Sequence, residues 1–530
     1  MFKIIVVFLF FLMAGCMTPI DEPPMQPLLP PPLPAMAPAA GADADQDEDS
    51  PAITLRPGGT LRLSMRSPVT LNPLLNEDAT VARILQLMFE PLINIDDDLR
   101  PVPNLASLDF AFNGASVIVT IREDARWSDG TPVSAEDLIF SIETLQDEEN
   151  ESIYSRNVEN FAQLELLGEN RVRIIFGTID GGSAYLFNFP IIPRHHFIAE
   201  PMSMEPIGNG PFAFAYFSDY LVLTRNPYSF RSRANIQEVH VLITSDAETD
   251  RHAFDRGLID IYLAGVPEWS RHHSVKPVHH AEHLAMYYDF IGFNFARELP
   301  SNLRFRRAIA HAIDVEGLIA DVFLTHAMAA RSPIHPASWL HEPLTPRVAY
   351  NFESARDLAR GVNMPLDEEG EIIPLTVIVN RENVEGVRIA GVLVSQMNAL
   401  GLYTDLLPMS FEDYEWHILN GYFDMFVGGY KLSLQPNLRF AFHSESPENI
   451  LSFSDPELDR LIEAAAVSGT DSQFFRNLSE IQIYIAEHVP VISLAFRHSA
   501  IIADKRVAGD LRPSAGNVFA NVHGWYIVER

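Results

Sequence analysis

From about residue 53 onward the chain alternates between two hydrophobic periods, one of two residues and one of three to four. Around Thr60 the string GGTLRLSM sets leucines between polar residues, the pattern of a half-buried strand. ATVARILQLMFEPL then places Val81, Ile84, Leu85 and Met88 on one helical face and stops at Pro91. Residues 115–122, 171–177, 221–225, 238–243, 287–295 and 375–380 are further predicted strands, dense in β-branched and aromatic residues. The helical spacing recurs near 303–323, 353–361, 384–400, 411–420, 456–467 and 472–488. Ser134 followed three residues on by Asp137 reads as a capping box that fixes a helix start. Strands alternating with helices predict α/β layers, not a sandwich or a bundle.

The first 51 residues follow other rules. Lys3, an apolar run from Ile4 to Met13 and the small pair Ala14-Gly15 before Cys16 make secretory signal architecture. The run is about half the ~20 residues a membrane-spanning helix needs, which points to a cleaved signal peptide over 1–15. Cys16 is the only cysteine in the chain, which excludes intrachain disulfides and cysteine-rich zinc sites. Its context resembles a bacterial lipoprotein signal, so lipidation is its expected use. Residues 16–51 are proline-rich and then acidic, a composition that stays extended and reads as a tether, with a proline-rich docking motif as the alternative.

Length changes the picture next. With 530 residues, 47% of them hydrophobic and 20% charged, the body suggests two to four domains. Net charge is −32, from 38 basic and 70 acidic residues, and such a surface repels phosphate backbones. No nucleic-acid partner is expected.

No Gly-x-Ser-x-Gly elbow occurs, and Gly208-x-Gly210 runs straight into Pro211, which blocks a phosphate-loop helix start. The strings HHAEHL at 279–284 and AEHVP at 486–490 lack the paired histidines of a zincin helix. The chain therefore reads as a non-enzyme with no cofactor. His272, His273, His279, His280 and His283 crowd into twelve residues. They leave two readings open, a metal site or a solvated, partly packed loop.

Several separated stretches resemble one family. ARWSDGTPVSAEDLIFSIE at 125–143, PIGNGPFAF at 206–214, AFDRGLIDIYLAG at 253–265 and IGFNFARELPSNLRFRRAIAHAIDVEGLI at 291–319 are similar to the bacterial extracytoplasmic solute-binding proteins of family 5. QMNALGLYTDLLPMSFEDYEWHILNGYFDMFVGGY at 396–430 and NILSFSDPELDRLIEAA at 449–465 continue the match in the same order. These are the oligopeptide-, dipeptide- and nickel-binding lipoproteins of ABC importers. The resemblance implies an α/β, periplasmic-binding-protein-like (class II) fold, with two lobes, a hinged cleft and an extra domain. On it we expect lobe I over 52–90, 200–295 and 495–530, the extra domain over 91–199 and lobe II over 296–494.

It also implies a role: capture of a small solute, foremost an oligopeptide or dipeptide, for an importer's permease subunits. A nickel or other small-solute binder and a ligand-sensing receptor are the alternatives. The protein is expected as a monomer held to the outer face of the cytoplasmic membrane by its lipid anchor. Carried over residue by residue, the ligand-binding positions are Asn76, Glu77 and Asp78 in the first loop, Asn294 on a crossover strand, and Tyr430, Lys431, Leu432 and Ser433. Peptide binders of the family place a tryptophan and an aspartate in that last segment. Here Tyr430 and Ser433 stand in their places, which removes the expected carboxylate partner for a peptide amine.

Overall fold

The computed structural model describes residues 58–111, 114–265 and 276–528. The alternation around Thr60 becomes β1 (Thr60–Met65), whose Leu61, Leu63 and Met65 are buried. Helix α1 (Ala79–Leu85) follows and ends sooner than its apolar face suggests. The carbonyls of Leu87 and Met88 accept instead from the amides of Phe212 and Gly210, at 3.0 and 2.7 Å, so a crossing segment takes the bonds a longer helix would use.

β2 (Ile93–Ile95) and β3 (Pro101–Pro103) form a short hairpin. β4 (Ala106–Phe110), β5 (Ser116–Ile121), helix α2 (Ala135–Gln146), β6 (Phe161–Gly168) and β7 (Arg171–Phe176) follow. Their four strands make an antiparallel sheet in the order β4-β5-β7-β6. β8 (Phe212–Phe217), β9 (Tyr220–Arg225) and β10 (Glu238–Ile243) join β1 in a second sheet, ordered β1-β10-β9-β8. One apolar core runs through both sheets and takes in Phe519 and Trp525 from the C-terminal segment.

The third sheet is larger. It contains β11 (Ile261–Ala264), β12 (Val278–Phe293), β13 (Ala327–Ala329), β14 (Leu375–Asn380), β15 (Thr404–Met409), β16 (Met425–Lys431) and β17 (Val491–Asp504). Their order is β11-β17-β12-β16-β14-β15, with β13 also on β17. β18 (Val507–Ala508) and β19 (Tyr526–Ile527) close the chain as a two-stranded pair.

β12 and β17 connect the two bodies. Ala281, Ile501 and Ala503 belong to the first core, whereas Ile291, Phe293, Ile492 and Leu494 belong to that of the third sheet. Where the two strands run side by side, the Arg497 guanidinium grips buried Asp289 through two 2.6 Å bonds and reaches Glu385 at 3.5 Å. Among the described residues no helix is long and apolar enough to cross a membrane.

Three expectations need correcting. The strand expected over 287–295 is only the second half of the 16-residue β12, so His279, His280 and His283 lie on a strand and not in a loop. β17 escaped the sequence reading because VISLAFRHSAIIAD is two apolar runs split by Arg497-His498-Ser499, without the alternation of a half-buried strand, and its place is set by neighbours on both sides. The helix expected over 303–323 is two helices, Leu303–Ala312 and Val315–Asp321, with Asp314 capping the second by accepting from the Gly317 amide at 3.1 Å.

Candidate functional site

The motifs that carried the resemblance mostly build walls. Ser134 and Asp137 form the expected capping box on α2. The same Asp137 also accepts from the buried Trp127 Nε1 at 3.1 Å and from the Arg194 amide at 2.8 Å. In the Gly208-Asn209-Gly210 turn the glycines are forced by packing: a Cβ on Gly208 would stand 2.1 Å from the Met88 carbonyl oxygen. Asn209 between them accepts from the Glu90 amide at 2.9 Å.

Of the first-loop residues, Asp78 is the N-cap of α1 and accepts from the Thr80 and Val81 amides at 2.7 and 3.0 Å and from the Thr80 hydroxyl at 2.6 Å. Partial burial pushes its carboxyl up, but those three bonds hold it below the usual range. Asn76 is buried and donates to the Asp78 carbonyl at 2.8 Å, while Glu77 is exposed beside it. Two of the three side chains are thus committed to shaping the loop.

Asn294 is buried one residue past β12. Its amide donates to the carbonyls of Gly421 and Phe423 at 3.1 and 2.8 Å and accepts from Ala296, so the side chain is spent on local backbone. Phe293 pairs with Met425 at one end of β16, and Tyr287 pairs with Lys431 at the other. Six residues of strand, about 20 Å, separate those ends, so the structure does not bring Asn294 to Tyr430.

Tyr430 and Lys431 end β16, and the chain leaves the third sheet through Leu432 and Ser433. The Tyr430 ring packs on Phe290 and Phe440, at centroid distances of 4.8 and 5.0 Å, and its hydroxyl is buried without a partner. Leu432 and Ser433 line a small pocket together with Leu99 from the first body and Met286 and His335 from the second. Ser433 donates to the Gln435 carbonyl at 2.5 Å. Lys431 is exposed as a residue, yet burial and then the charge of Arg83 hold its ammonium below its ordinary value.

Sequence reasoning did not single out the bridge at this crossing. Gln435 Nε2 donates to Asp180 Oδ1 at 3.2 Å and to the Gly181 carbonyl at 3.3 Å, joining the segment after β16 to the first body. Burial pushes the Asp180 carboxyl up to about 6 despite that bond. Nearby, Trp339 donates to the Tyr185 hydroxyl at 2.9 Å, its amide reaches the Asp98 carbonyl at 2.9 Å, and Arg100 lies 3.9 Å over its ring. Nothing in the strings around Asp180 or Gln435 marks them, because the contact exists only once two distant segments meet.

Of the expected histidine cluster, His272 and His273 lie outside the described residues, as does Cys16 with the signal and tether over 1–51. Among the described residues no group of three His, Cys, Asp or Glu side chains could hold a metal ion.

Comparison with known proteins places this geometry. The family model described as "Bacterial extracellular solute-binding proteins, family 5 Middle" matches residues 100–449. The oligopeptide-binding protein AppA of Bacillus subtilis is 23% identical over 501 residues, covering 89% of this chain and 92% of AppA. AppA in complex with a nonapeptide superposes with a TM-score of 0.67 at 21% identity, over 90% of this chain and 100% of that one. The substrate-binding protein CtaP of Listeria monocytogenes gives 0.79 at 21% identity, over 89% and 100%. NikZ of Campylobacter jejuni in complex with Ni(L-His) gives 0.70 at 20%, over 88% and 99%. These likenesses establish a two-lobed periplasmic-binding-protein fold.

Proposed function

The chain belongs to the bacterial extracellular solute-binding proteins, family 5, and from that premise we propose that it captures an oligopeptide or dipeptide between its two lobes and hands it to the permease subunits of an ABC importer. The observation that carries the peptide reading is a sheet edge. β14 pairs with β16 only from Met425 to Val427, whereas β12 pairs with β16 as far as Lys431. The outer edge of Gly428–Lys431 therefore has no strand partner among the described residues. The Leu432 amide bonds to Met286, so by alternation the main-chain groups of Gly429 face away from β12. An extended ligand backbone can add there as a strand, gaining affinity from main-chain bonds that tolerate any side chain.

In this reading Tyr430, Lys431, Leu432 and Ser433 face the ligand and Glu77 lies at the rim. Asn76, Asp78 and Asn294 hold the walls. Sheet membership supports the division into lobe I, inserted domain and lobe II given above, with β12 and β17 as the crossovers. Lipidation of Cys16 would hold a monomer at the outer face of the cytoplasmic membrane by its tether. AppA, named as oligopeptide-binding and solved with a nonapeptide, supports a peptide ligand.

Native mass spectrometry of the purified full chain should find a ladder of co-purified peptides. A single metabolite or a metal chelate in their place would overturn the peptide reading. For peptides so identified, N-methylation of a central amide should weaken binding about tenfold, the worth of one hydrogen bond, by calorimetry.

A further inference from the structure

The turn between β2 and β3 holds a residue that its backbone does not favour. The Asp96 carbonyl accepts from the Leu99 amide at 3.0 Å, and its carboxylate accepts from the Asp98 and Arg100 amides at 3.0 and 2.8 Å. Leu99 is thereby held at φ 54°, in the left-handed region where a leucine is strained and glycine or asparagine is at ease. A leucine kept there implies a use for its side chain. That side chain is buried and faces a small pocket shared with Pro333, Ile334, Leu434 and Leu438 of the second body.

The rest of the turn reaches the second body as well. The Asp98 carbonyl accepts from the Trp339 amide at 2.9 Å, and Arg100 lies 3.9 Å over the Trp339 ring. The Leu99 carbonyl accepts from the Tyr185 hydroxyl at 2.6 Å, and that hydroxyl accepts from Trp339 Nε1 at 2.9 Å. The Tyr185 ring itself packs in the core that holds Ile334, Leu340 and Phe474. A second contact lies at Asp180 and Gly181. The Gly181 amide donates to the Ala466 carbonyl at 2.6 Å, and a Cβ on Gly181 would stand 2.1 Å from the Ala465 carbonyl oxygen. Gln435 fastens Asp180 and Gly181 from the other side. Residues 96–100 and 180–185 all lie within 91–199, the inserted domain of the division given above. Both contacts end on the segment 432–438, which continues directly from the free edge Gly428–Lys431.

We propose that the inserted domain is a clamp: the Leu99 turn at one point and Asp180–Gly181 at the other hold the second body closed, and so set how long a captured peptide is retained. Leu99, Arg100 and Trp339 are positioning residues, acting on the ligand only through the segment 432–438. The clamp does not depend on what is bound, whereas its effect on retention rests on the peptide reading above. Its bonds exist only when the bodies are together, so losing one should speed release and leave the rate of capture nearly unchanged.

The Trp339 and Gly181 amides donate across the gap, and their hydrogen exchange in the full chain, read by mass spectrometry, reports opening at each contact. In a single clamp the two exchange together. Leu99→Gly, which relaxes the turn and empties the pocket, should accelerate both about tenfold while melting temperature and the exchange of β5 and β7 stay as in the parent. Trp339→Phe keeps a ring beneath Arg100 and loses only the indole N–H, and should accelerate the same two amides less. A fluorescent pool of randomised pentapeptides, chased with unlabelled pool, should leave Leu99→Gly about tenfold faster than the parent chain. Acceleration at Trp339 alone, or at neither amide, overturns the clamp. Loosened amides with an unchanged release rate overturn its control of retention. A pool that the parent chain does not retain overturns the peptide reading and the control of retention with it, while the two amides still decide the clamp.

Discussion

Two buried carboxylates illustrate how single residues hold this protein together. Asp289 is enclosed and answered by the fork of Arg497, so truncating the cation leaves a buried charge alone. Arg497→Met should cost about 3–5 kcal/mol in urea unfolding, and the double change Asp289→Leu with Arg497→Met should recover much of that loss. Asp137 gathers Trp127, Ser134 and the Arg194 amide around one side chain. Asp137→Ala should destabilise by about 2–3 kcal/mol, because it strands a buried indole N–H and a helix cap together. The capping role of Asp137 was legible in the sequence, since a box needs only three residues of spacing. Its bonds to Trp127 and Arg194 were not, and neither was Arg497, whose partners are 208 and 112 positions away.

Among elements, the short-range ones could be read in advance and the long-range ones could not. The strands at 238–243 and 375–380 match their expected bounds, because local alternation or β-branched density defines them. β17 is defined by neighbours on both sides, β11 and β12, and its sequence has no period to betray it. The site suffered the same limit. The GGY string marks the segment Tyr430 to Ser433, but nothing in the sequence shows that Gln435 just beyond it reaches Asp180 and Gly181, 255 and 254 positions away. β12 also hides a packing constraint at Gly292, where a Cβ would stand 2.2 Å from the Phe426 ring. Gly292→Ala should therefore cost about 1–3 kcal/mol by overpacking, measured by chemical denaturation.

At the scale of the whole molecule, acid acts on the two bodies in opposing ways. Burial first lowers His283 and His335 to about 4, below the ~6.5 of an unfolded histidine. Between those values the unfolded chain binds more protons, so this part of the stability is complete above about pH 6.5 and is lost as pH falls toward 4. Asp180, raised by burial to about 6, runs the other way: its contribution is complete below its unfolded value of ~3.9 and is lost as pH rises through 6. Melting temperature followed from pH 7 to pH 5 should fall less steeply in His335→Gln than in the parent chain. It should fall more steeply in Asp180→Asn, which retains the buried amide-like group and removes the proton that opposed the histidines.

The sequence has five tryptophans. Trp127 and Trp525 are sealed in the first core, Trp416 stacks on Tyr422 at the surface, and Trp269 lies outside the described residues. Trp339 alone among those described bridges the bodies, with a tyrosine hydroxyl on its indole nitrogen and a guanidinium over its ring. Both of those neighbours come from the opposite side of the gap, so parting the lobes exchanges them for water. Indole emission depends on polar and charged surroundings, and the protein thus contains its own optical gauge of opening, readable in a stopped-flow trace without any dye.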